Sequence, residues 1–186
     1  MKIGIISDTH GIVPAWEKAM KIFEGAEIIL HAGDVLYHPP RIRWESDYDI
    51  PDLVQLINSS SIPIVFARGN CDSEVYEELL EYPVLSPYAF VQHEDLRIVV
   101  QHGHTLDADK MKMLIEKYRA DIFITGHTHI PIIERVDGAI HVNPGSPSHP
   151  KLELNGIPAP SVGLIEDGKI RIVELDSGKE IMGGTI

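Results

Sequence analysis

The stretch Lys2-Ile3-Gly4-Ile5-Ile6-Ser7-Asp8-Thr9-His10-Gly11 decides the fold. Residues Lys2 to Ser7 form a short, mostly apolar run without alternation, as in a buried strand, and it breaks off into polar residues and a glycine. Residues Pro14 to Phe23 then place Trp16, Ala19, Met20 and Phe23 at helical spacing, so the chain opens as a strand followed by a helix. The pattern recurs. Glu27 to His31 reads as strand, Asp52 to Ile57 as helix and Ile62 to Ala67 as strand, which predicts alternating β and α elements with a parallel sheet. Between them, Tyr37 to Asp49, with its His38-Pro39-Pro40, reads as an irregular loop.

The second half changes character. Tyr88 to His93 and Leu96 to Gln101 flank His93-Glu94-Asp95 like a hairpin, and a helix is expected from Asp107 to Tyr118. Asp121 to Thr125, Ile130 to Val136, Ala139 to Val142, Ser161 to Glu166 and Lys169 to Glu174 then read as strands, with turn signals at Asp137-Gly138 and Asp167-Gly168. So many strands in one domain imply two packed sheets covered by helices. Asn143-Pro144-Gly145-Ser146 and Ile157-Pro158-Ala159-Pro160 read as ordered loops inside a single domain spanning residues 1–186.

Composition narrows the class of function. The 186 residues, 44 % hydrophobic and 24 % charged, suit one soluble globular domain. The apolar run at the N-terminus is too short for a signal peptide, and nothing approaches the roughly 20 apolar residues of a membrane helix. With the single cysteine Cys71, which excludes an internal disulfide, this points to the cytoplasm. A net charge of -12 argues against a nucleic acid polymer as partner, because nonspecific affinity for one comes from Lys and Arg on phosphates. A small phosphorylated substrate stays open, since bound divalent cations reverse the local field.

Five apolar runs end in the same way, in Asp8 to His10, Gly33-Asp34, Gly69 to Asp72, His102 to His104 and Gly126 to His129. Residues two apart on a strand point the same way, so Asp8 with His10, and His127 with His129, aim together. Taken singly, each cluster has a plain structural reading as a cap, a turn or a buried histidine. Taken together, they describe one site for two metal ions.

Asp8-x-His10, Gly33-Asp34, Gly69-Asn70, His102 and Gly126-His127-x-His129 resemble the signature of the calcineurin-like metallophosphoesterases over almost the whole chain. The short length, with Arg68-Gly69-Asn70-Cys71-Asp72, His102-Gly103-His104 and Asn143-Pro144-Gly145-Ser146, is most similar to the YfcE-type phosphodiesterases. The resemblance implies an α/β fold, a four-layer αββα sandwich of two mixed sheets flanked by helices. It implies that Asp8, His10 and His129 hold a first metal, that Asn70, His102 and His127 hold a second, and that Asp34 bridges them. Imidazole, carboxylate and amide donors suit two divalent ions, Mn first, with Zn, Fe, Ni, Co or Mg as alternatives. Such a pair clamps a phosphate and lowers the pKa of an attacking water.

The residues given catalytic roles are Asp34, Asn70, Cys71 and His104. Cys71 departs from the family pattern, in which many relatives place a histidine that binds phosphate or protonates the leaving group. A neutral thiol supplies no cation, which favours diesters with good leaving groups or reliance on another acid such as His104. Cys71 as a small bystander stays open. Asp72 is expected to orient a neighbour or meet solvent, and Arg68 to bind phosphate or brace its loop. His31 is expected to be buried and structural or to support a ligand, and His38, His93, His141 and His149 to lie on the surface of loops or strands.

The leading reading is a metal-dependent phosphodiesterase acting on a small phosphodiester. The alternatives are a phosphomonoesterase with the same metal site and a non-catalytic protein-binding scaffold, because a eukaryotic retromer subunit resembles this fold. Family relatives often form dimers or larger assemblies, which leaves a homo-oligomer open.

Overall fold

The computed structural model describes residues 1–39, 43 and 46–186. Strand β1 (Lys2–Ile6) leads into helix α1 (Val13–Ile22), followed by β2 (Ile28–His31), α2 (Ile50–Asn58), β3 (Ile64–Phe66) and the single turn α3 (Tyr76–Leu79). Then come β4 (Tyr88–His93), β5 (Leu96–Gln101), α4 (Ala108–Tyr118), β6 (Ile122–Ile124), β7 (Ile132–Val136) and β8 (Ala139–Asn143). The chain ends with β9 (Glu153–Leu154), β10 (Ile157–Pro158), β11 (Ser161–Glu166), β12 (Lys169–Glu174) and β13 (Glu180–Thr185).

Two mixed sheets result. The first has the order β13-β12-β11-β1-β2-β3, with β1, β2 and β3 parallel and the three C-terminal strands antiparallel. The second has the order β4-β5-β6-β8-β7, with β5, β6 and β8 parallel and antiparallel strands at both edges. Side-chain alternation along these strands sorts the core into three apolar contacts between four layers. Ile6 of β1, with Ile29 and Phe66, meets Trp16, Ala19 and Phe23 of the first helix and Leu53 and Ile57 of the second. Ile3 and Ile5 point the other way and pack with Leu30 against Ile98, Val100, Ile122, Ile124 and Val142 of the second sheet. On its far side Val99 and Phe123 meet Leu114 and Ile115 of α4. The αββα sandwich expected of the chain is therefore present.

Helix starts follow local chemistry. Asp49 caps α2 by accepting from the Asp52 N–H at 3.1 Å, and Asp107 caps α4 by accepting from the Lys110 N–H at 2.8 Å. The turn Glu94-Asp95 closes the expected hairpin. Three features differ from expectation. Ile157 and Pro158, expected in a loop, pair with Leu154 and Glu153 as a two-stranded ribbon; Pro158 is tolerated because such a ribbon has free edges. Strand β13 extends the first sheet beyond the last strand expected, and α3 follows the Gly69 to Asp72 cluster. Of the expected loop from Tyr37 to Asp49, Pro40 to Ile42, Trp44 and Glu45 lie outside the described residues. Among the described residues no helix is long and apolar enough to cross a membrane.

Candidate metal centre

The ends of β1, β2, β3, β5 and β6 carry the five polar clusters to one place between the sheets. Asp8 is fully buried, with Oδ1 lying 3.3 Å from His129 Nε2, 3.7 Å from His10 Nε2 and 3.9 Å from His102 Nε2. Asp34 Oδ2 lies 3.3 Å from His102 Nε2 and 3.8 Å from His10 Nε2. Asn70 Oδ1 is 3.1 Å from His102 Nε2. His127, exposed, sets its ring 5.2 Å from that of His102 while its N–H donates to Asp8 Oδ2 at 2.9 Å.

Backbone carbonyls aim the three buried imidazoles. His10, His102 and His129 donate from Nδ1 to the carbonyls of Tyr37 (2.8 Å), Ala32 (2.7 Å) and His149 (2.7 Å). A carbonyl only accepts, so Nδ1 carries a proton and each Nε2 is turned towards the carboxylates. Asp8 Oδ1 and His10 Nε2 are buried and find no hydrogen-bond partner among the described residues. Buried polar atoms are ordinarily satisfied, so this unpaired acceptor and imidazole nitrogen fit a cation. Three overlapping triads, Asp8, His10 with His129, Asp8, Asp34 with His102, and His10, Asp34 with Cys71, bring donor atoms within 4.8 Å of one another; the thiol of the third is held protonated by burial and the Asp34 charge, which leaves imidazole and carboxylate as the donors. The donors, imidazole and carboxylate, suit a divalent transition metal.

The calcineurin-like phosphoesterase superfamily domain matches residues 1–162. The chain belongs to that superfamily. It is 34 % identical over 178 residues to phosphodiesterase YfcE of Escherichia coli K12, covering 95 % of this chain and 93 % of that one. It is 30 % identical over 177 residues to a phosphodiesterase of Methanocaldococcus jannaschii, covering 91 % and 95 %. The structure of the E. coli YfcE phosphoesterase superposes over the full length of both chains with a TM-score of 0.85 and 31 % identity. Vps29 of Entamoeba histolytica, solved with zinc, shares the fold at 21 % identity and a TM-score of 0.62, over 100 % of this chain and 98 % of that one. Membership of this superfamily of metallophosphoesterases makes the chain a phosphoester hydrolase that uses divalent metal.

Electrostatics of the superfamily site follow from burial against pairing. Burial disfavours charge on both Asp34 and His102, but the contact between them outweighs it. It holds the Asp34 carboxyl well below the usual range and pushes His102 up to about 9 in the metal-free chain. Burial pulls His10 down, because its carboxylate neighbours lie farther away.

The remaining sequence expectations sort out by position. Asp72 orients a neighbour: buried, it accepts from the N–H groups of Asp34 (2.8 Å), Val35 (2.8 Å) and Gly69 (2.7 Å). Burial pushes its carboxyl up to about 6 against the pull of those donors. Arg68 braces the loop, donating from Nε to the Asp72 carbonyl at 3.2 Å. Cys71, half-buried, donates its N–H to Asp34 Oδ1 at 2.8 Å, and burial followed by the Asp34 charge pushes its thiol up to about 12. His104 is exposed at the rim, its ring 5.4 Å from His102 and 6.1 Å from His127. His31 is buried, with Nε2 3.1 Å from Thr9 Oγ1 and Nδ1 accepting from Gly33 N–H.

Two expectations are overturned. His141 is buried rather than on the surface, with Nε2 2.8 Å from Thr125 Oγ1 and Nδ1 2.9 Å from Glu134 Oε1, because it sits on the central strand β8 between β6 and β7. His149 is half-buried at the site, its ring 5.6 Å from that of His10 and 6.4 Å from that of His129. Its Ser-Pro-Ser-His-Pro surroundings, residues 146–150, gave no periodic signal by which to place it. His38, also half-buried, lies 5.6 Å from His149 ring to ring, and His93 pairs with Glu27 at 3.1 Å.

Proposed function

We propose that this chain is a phosphodiesterase that hydrolyses small phosphodiesters with two divalent cations, Mn first among them. In this reading Asp8, His10 and His129 hold one cation, Asn70, His102 and His127 the other, and Asp34 faces both. The observation that carries it is the convergence of Asp8 Oδ1, Asp34 Oδ2 and three Nε2 atoms on one buried point where Asp8 Oδ1 and His10 Nε2 have no other described partner. Bound there, divalent cations supply Lewis-acid polarisation of a phosphoester and a water of lowered pKa.

The chain's own residues set up this chemistry. Asp72 fixes Asp34 through the Asp34 N–H, and the Cys71 N–H fixes Asp34 Oδ1, leaving Oδ2 turned to the imidazoles. Asn70 presents Oδ1 beside His102 from the exposed side, where a phosphate would enter. Cys71 stays neutral and brings no cation to a second phosphate charge, which favours diesters over monoesters. His104 stands exposed at the rim, where burial and then the His102 and His127 charges pull its pKa down; in this reading it serves a leaving group as the alternative to Cys71. The superfamily domain is taken to span residues 1–186 as one unit, in the cytoplasm, with a lone cysteine in keeping with a reducing compartment.

The test is to strip the protein of metal and assay it on a matched phosphomonoester and phosphodiester while adding back Mn, Zn, Fe, Ni, Co and Mg singly. Diester hydrolysis restored by Mn above the others is expected. Preferential monoester hydrolysis would replace the diester reading, and inactivity with every metal would leave a scaffold.

A further inference from the structure

The turn Asn143-Pro144-Gly145-Ser146 contains none of the candidate ligands, yet it touches the backbone of both loops that supply most of them. Ser146 is fully buried; its Oγ donates to the Asp8 carbonyl at 2.8 Å and accepts from the N–H groups of His149 at 2.9 Å and Ser148 at 3.2 Å. Ser148 Oγ donates to the next carbonyl, that of Thr9, at 2.6 Å. The His149 carbonyl accepts from His129 Nδ1, and the Lys151 N–H donates to the His129 carbonyl at 3.1 Å. At the other end Asn143 Nδ2 donates to the Gly126 carbonyl at 2.7 Å and to Thr128 Oγ1 at 3.1 Å, while its Oδ1 accepts from the Gly145 N–H at 2.9 Å. The turn itself is anchored to the first sheet: Ser161 Oγ donates to the Pro144 carbonyl at 2.7 Å, and Gly145, at φ +79°, leaves the space that a Cβ would take from Ser161 Oγ.

The loops it holds are strained. Asp8 (φ 57°), His10 (47°), His127 (67°) and His129 (59°) all lie in the left-handed region that side chains rarely adopt. Such conformations persist only where the surroundings over-determine them. Here the surroundings include backbone bonds from the Asp8 and His10 N–H groups to the Gly33 and Asp34 carbonyls, and three hydroxyl or amide side chains, those of Ser146, Ser148 and Asn143, that reach the carbonyls of Asp8, Thr9 and Gly126.

We propose that the 143–149 turn is a positioning clamp: Ser146, Ser148 and Asn143 hold the Asp8–His10 and His127–His129 loops in their left-handed conformations and thereby set cation affinity without touching a cation. This rests on the reading that the site binds divalent cations. The clamp has a consequence that ordinary structural hydrogen bonds lack. Without a cation, breaking it lets the strained residues relax, so relieved strain offsets part of the lost bonding and the metal-free fold weakens little. With a cation, the ligands have to be driven back, so affinity falls.

The experiment compares the metal-stripped full chain with Ser146→Ala, Ser148→Ala and a control hydroxyl deletion away from the site, Ser60→Ala, whose Oγ bonds the Ile62 carbonyl. Binding of Mn and of Zn, each alone, is measured by equilibrium dialysis, and melting temperature is measured with and without metal. Ser146→Ala is expected to weaken the tighter-bound cation by about tenfold or more, Ser148→Ala by less, and Ser60→Ala by under about twofold. The metal-induced rise in melting temperature should shrink in Ser146→Ala by more than the metal-free melting temperature falls. Parental affinity in Ser146→Ala, an equal loss in Ser60→Ala, or a metal-free melting temperature that falls as far as the loaded one would each overturn the clamp. Should Ser146→Ala fail to fold, Ser148→Ala decides alone: parental affinity there overturns it. A parent chain that binds neither cation overturns the reading of the site and the clamp with it, whereas a parent that binds beside a variant that binds equally well overturns the clamp only.

Discussion

Metal binding at this centre should depend steeply on pH, and His102 sets the slope. Its Nδ1 is engaged by the Ala32 carbonyl, so Nε2 is the nitrogen that faces Asp34 and would meet a cation. Without metal, burial opposes charge on His102, but the hydrogen bond to Asp34 at 3.3 Å wins and raises its pKa to about 9. A cation needs the Nε2 lone pair, so it has to displace that proton. At pH 7, about two units below the folded value, only about 1 % of metal-free molecules offer the lone pair, which lowers apparent affinity about 100-fold. Between about pH 7 and about pH 9 affinity should climb about tenfold, or about 1.4 kcal/mol, per pH unit and then level off. The sign for the metal-free fold is opposite. A group whose pKa rises on folding contributes stability that is full below about 6.5 and is lost as pH climbs through about 9. Alkaline solution thus weakens the metal-free chain while favouring the loaded one. Calorimetric titration with Mn at about pH 6.5, 7.5 and 8.5, in two buffers of different ionisation heat, reads both effects. Close to one proton released per cation at this position is expected near neutrality. Affinity that stays flat across the range, with no proton released, would refute the pairing of His102 with Asp34 as the controlling interaction.

Other perturbations probe different parts of the site. Asp34→Ala should reduce metal-dependent hydrolysis by more than about 100-fold, and retained activity at unchanged metal content would contradict the place given to that carboxylate. Cys71→His should accelerate the substrates with the poorest leaving groups by about 100-fold and flatten the dependence on leaving-group pKa; an unaltered dependence would make Cys71 a bystander. Asp72→Ala strands three buried N–H groups and should cost on the order of 3 kcal/mol in urea denaturation, so an unchanged midpoint would refute its bracing role. A side chain at Gly126 would overlap Ser7 Oγ and crowd Asp8 Oδ2, so Gly126→Ala should lose metal before it loses its fold; full metal content in the variant would argue against that contact.

The alternation of strand and helix in the first half was legible because a short apolar run without alternation, Ile3 to Ile6, gives way to the helical spacing of Trp16, Ala19, Met20 and Phe23. Strand β13 was not, because Glu180-Ile181-Met182-Gly183-Gly184-Thr185 has two central glycines and little alternation; it is strand because β12 offers it a ladder. The ribbon of β9 and β10 is two residues deep and contains Pro158, which reads locally as loop. The candidate ligands could be read because donor chemistry resides in residue type. Their supports could not, because the carbonyls of Tyr37, Ala32 and His149 that aim the imidazoles could come from any residue, and only the folded chain says which.

Backbone strain gives a further reason why the site looks as it does in sequence. Asp8, His10, Asp34, His127 and His129, five of the seven candidate ligands, have positive φ. At about 1 kcal/mol each, this amounts to on the order of 5 kcal/mol, comparable with the net stability of a small domain. Asp and His are among the side chains that tolerate this region best, so the same residues suit both the donor chemistry and the tight reversal at each strand end. The reversal also turns carbonyls and N–H groups inward, where water cannot satisfy them, and this accounts for Ser146 and Asn143 being wholly buried beside them. A chain that placed the same donors on relaxed loops would avoid the strain but leave the donors free to part. The strained form holds four of them, Asp8, His10, Asp34 and His129, around one point before any cation arrives, and the energy stored in their backbones is what the buried polar side chains around them have to offset.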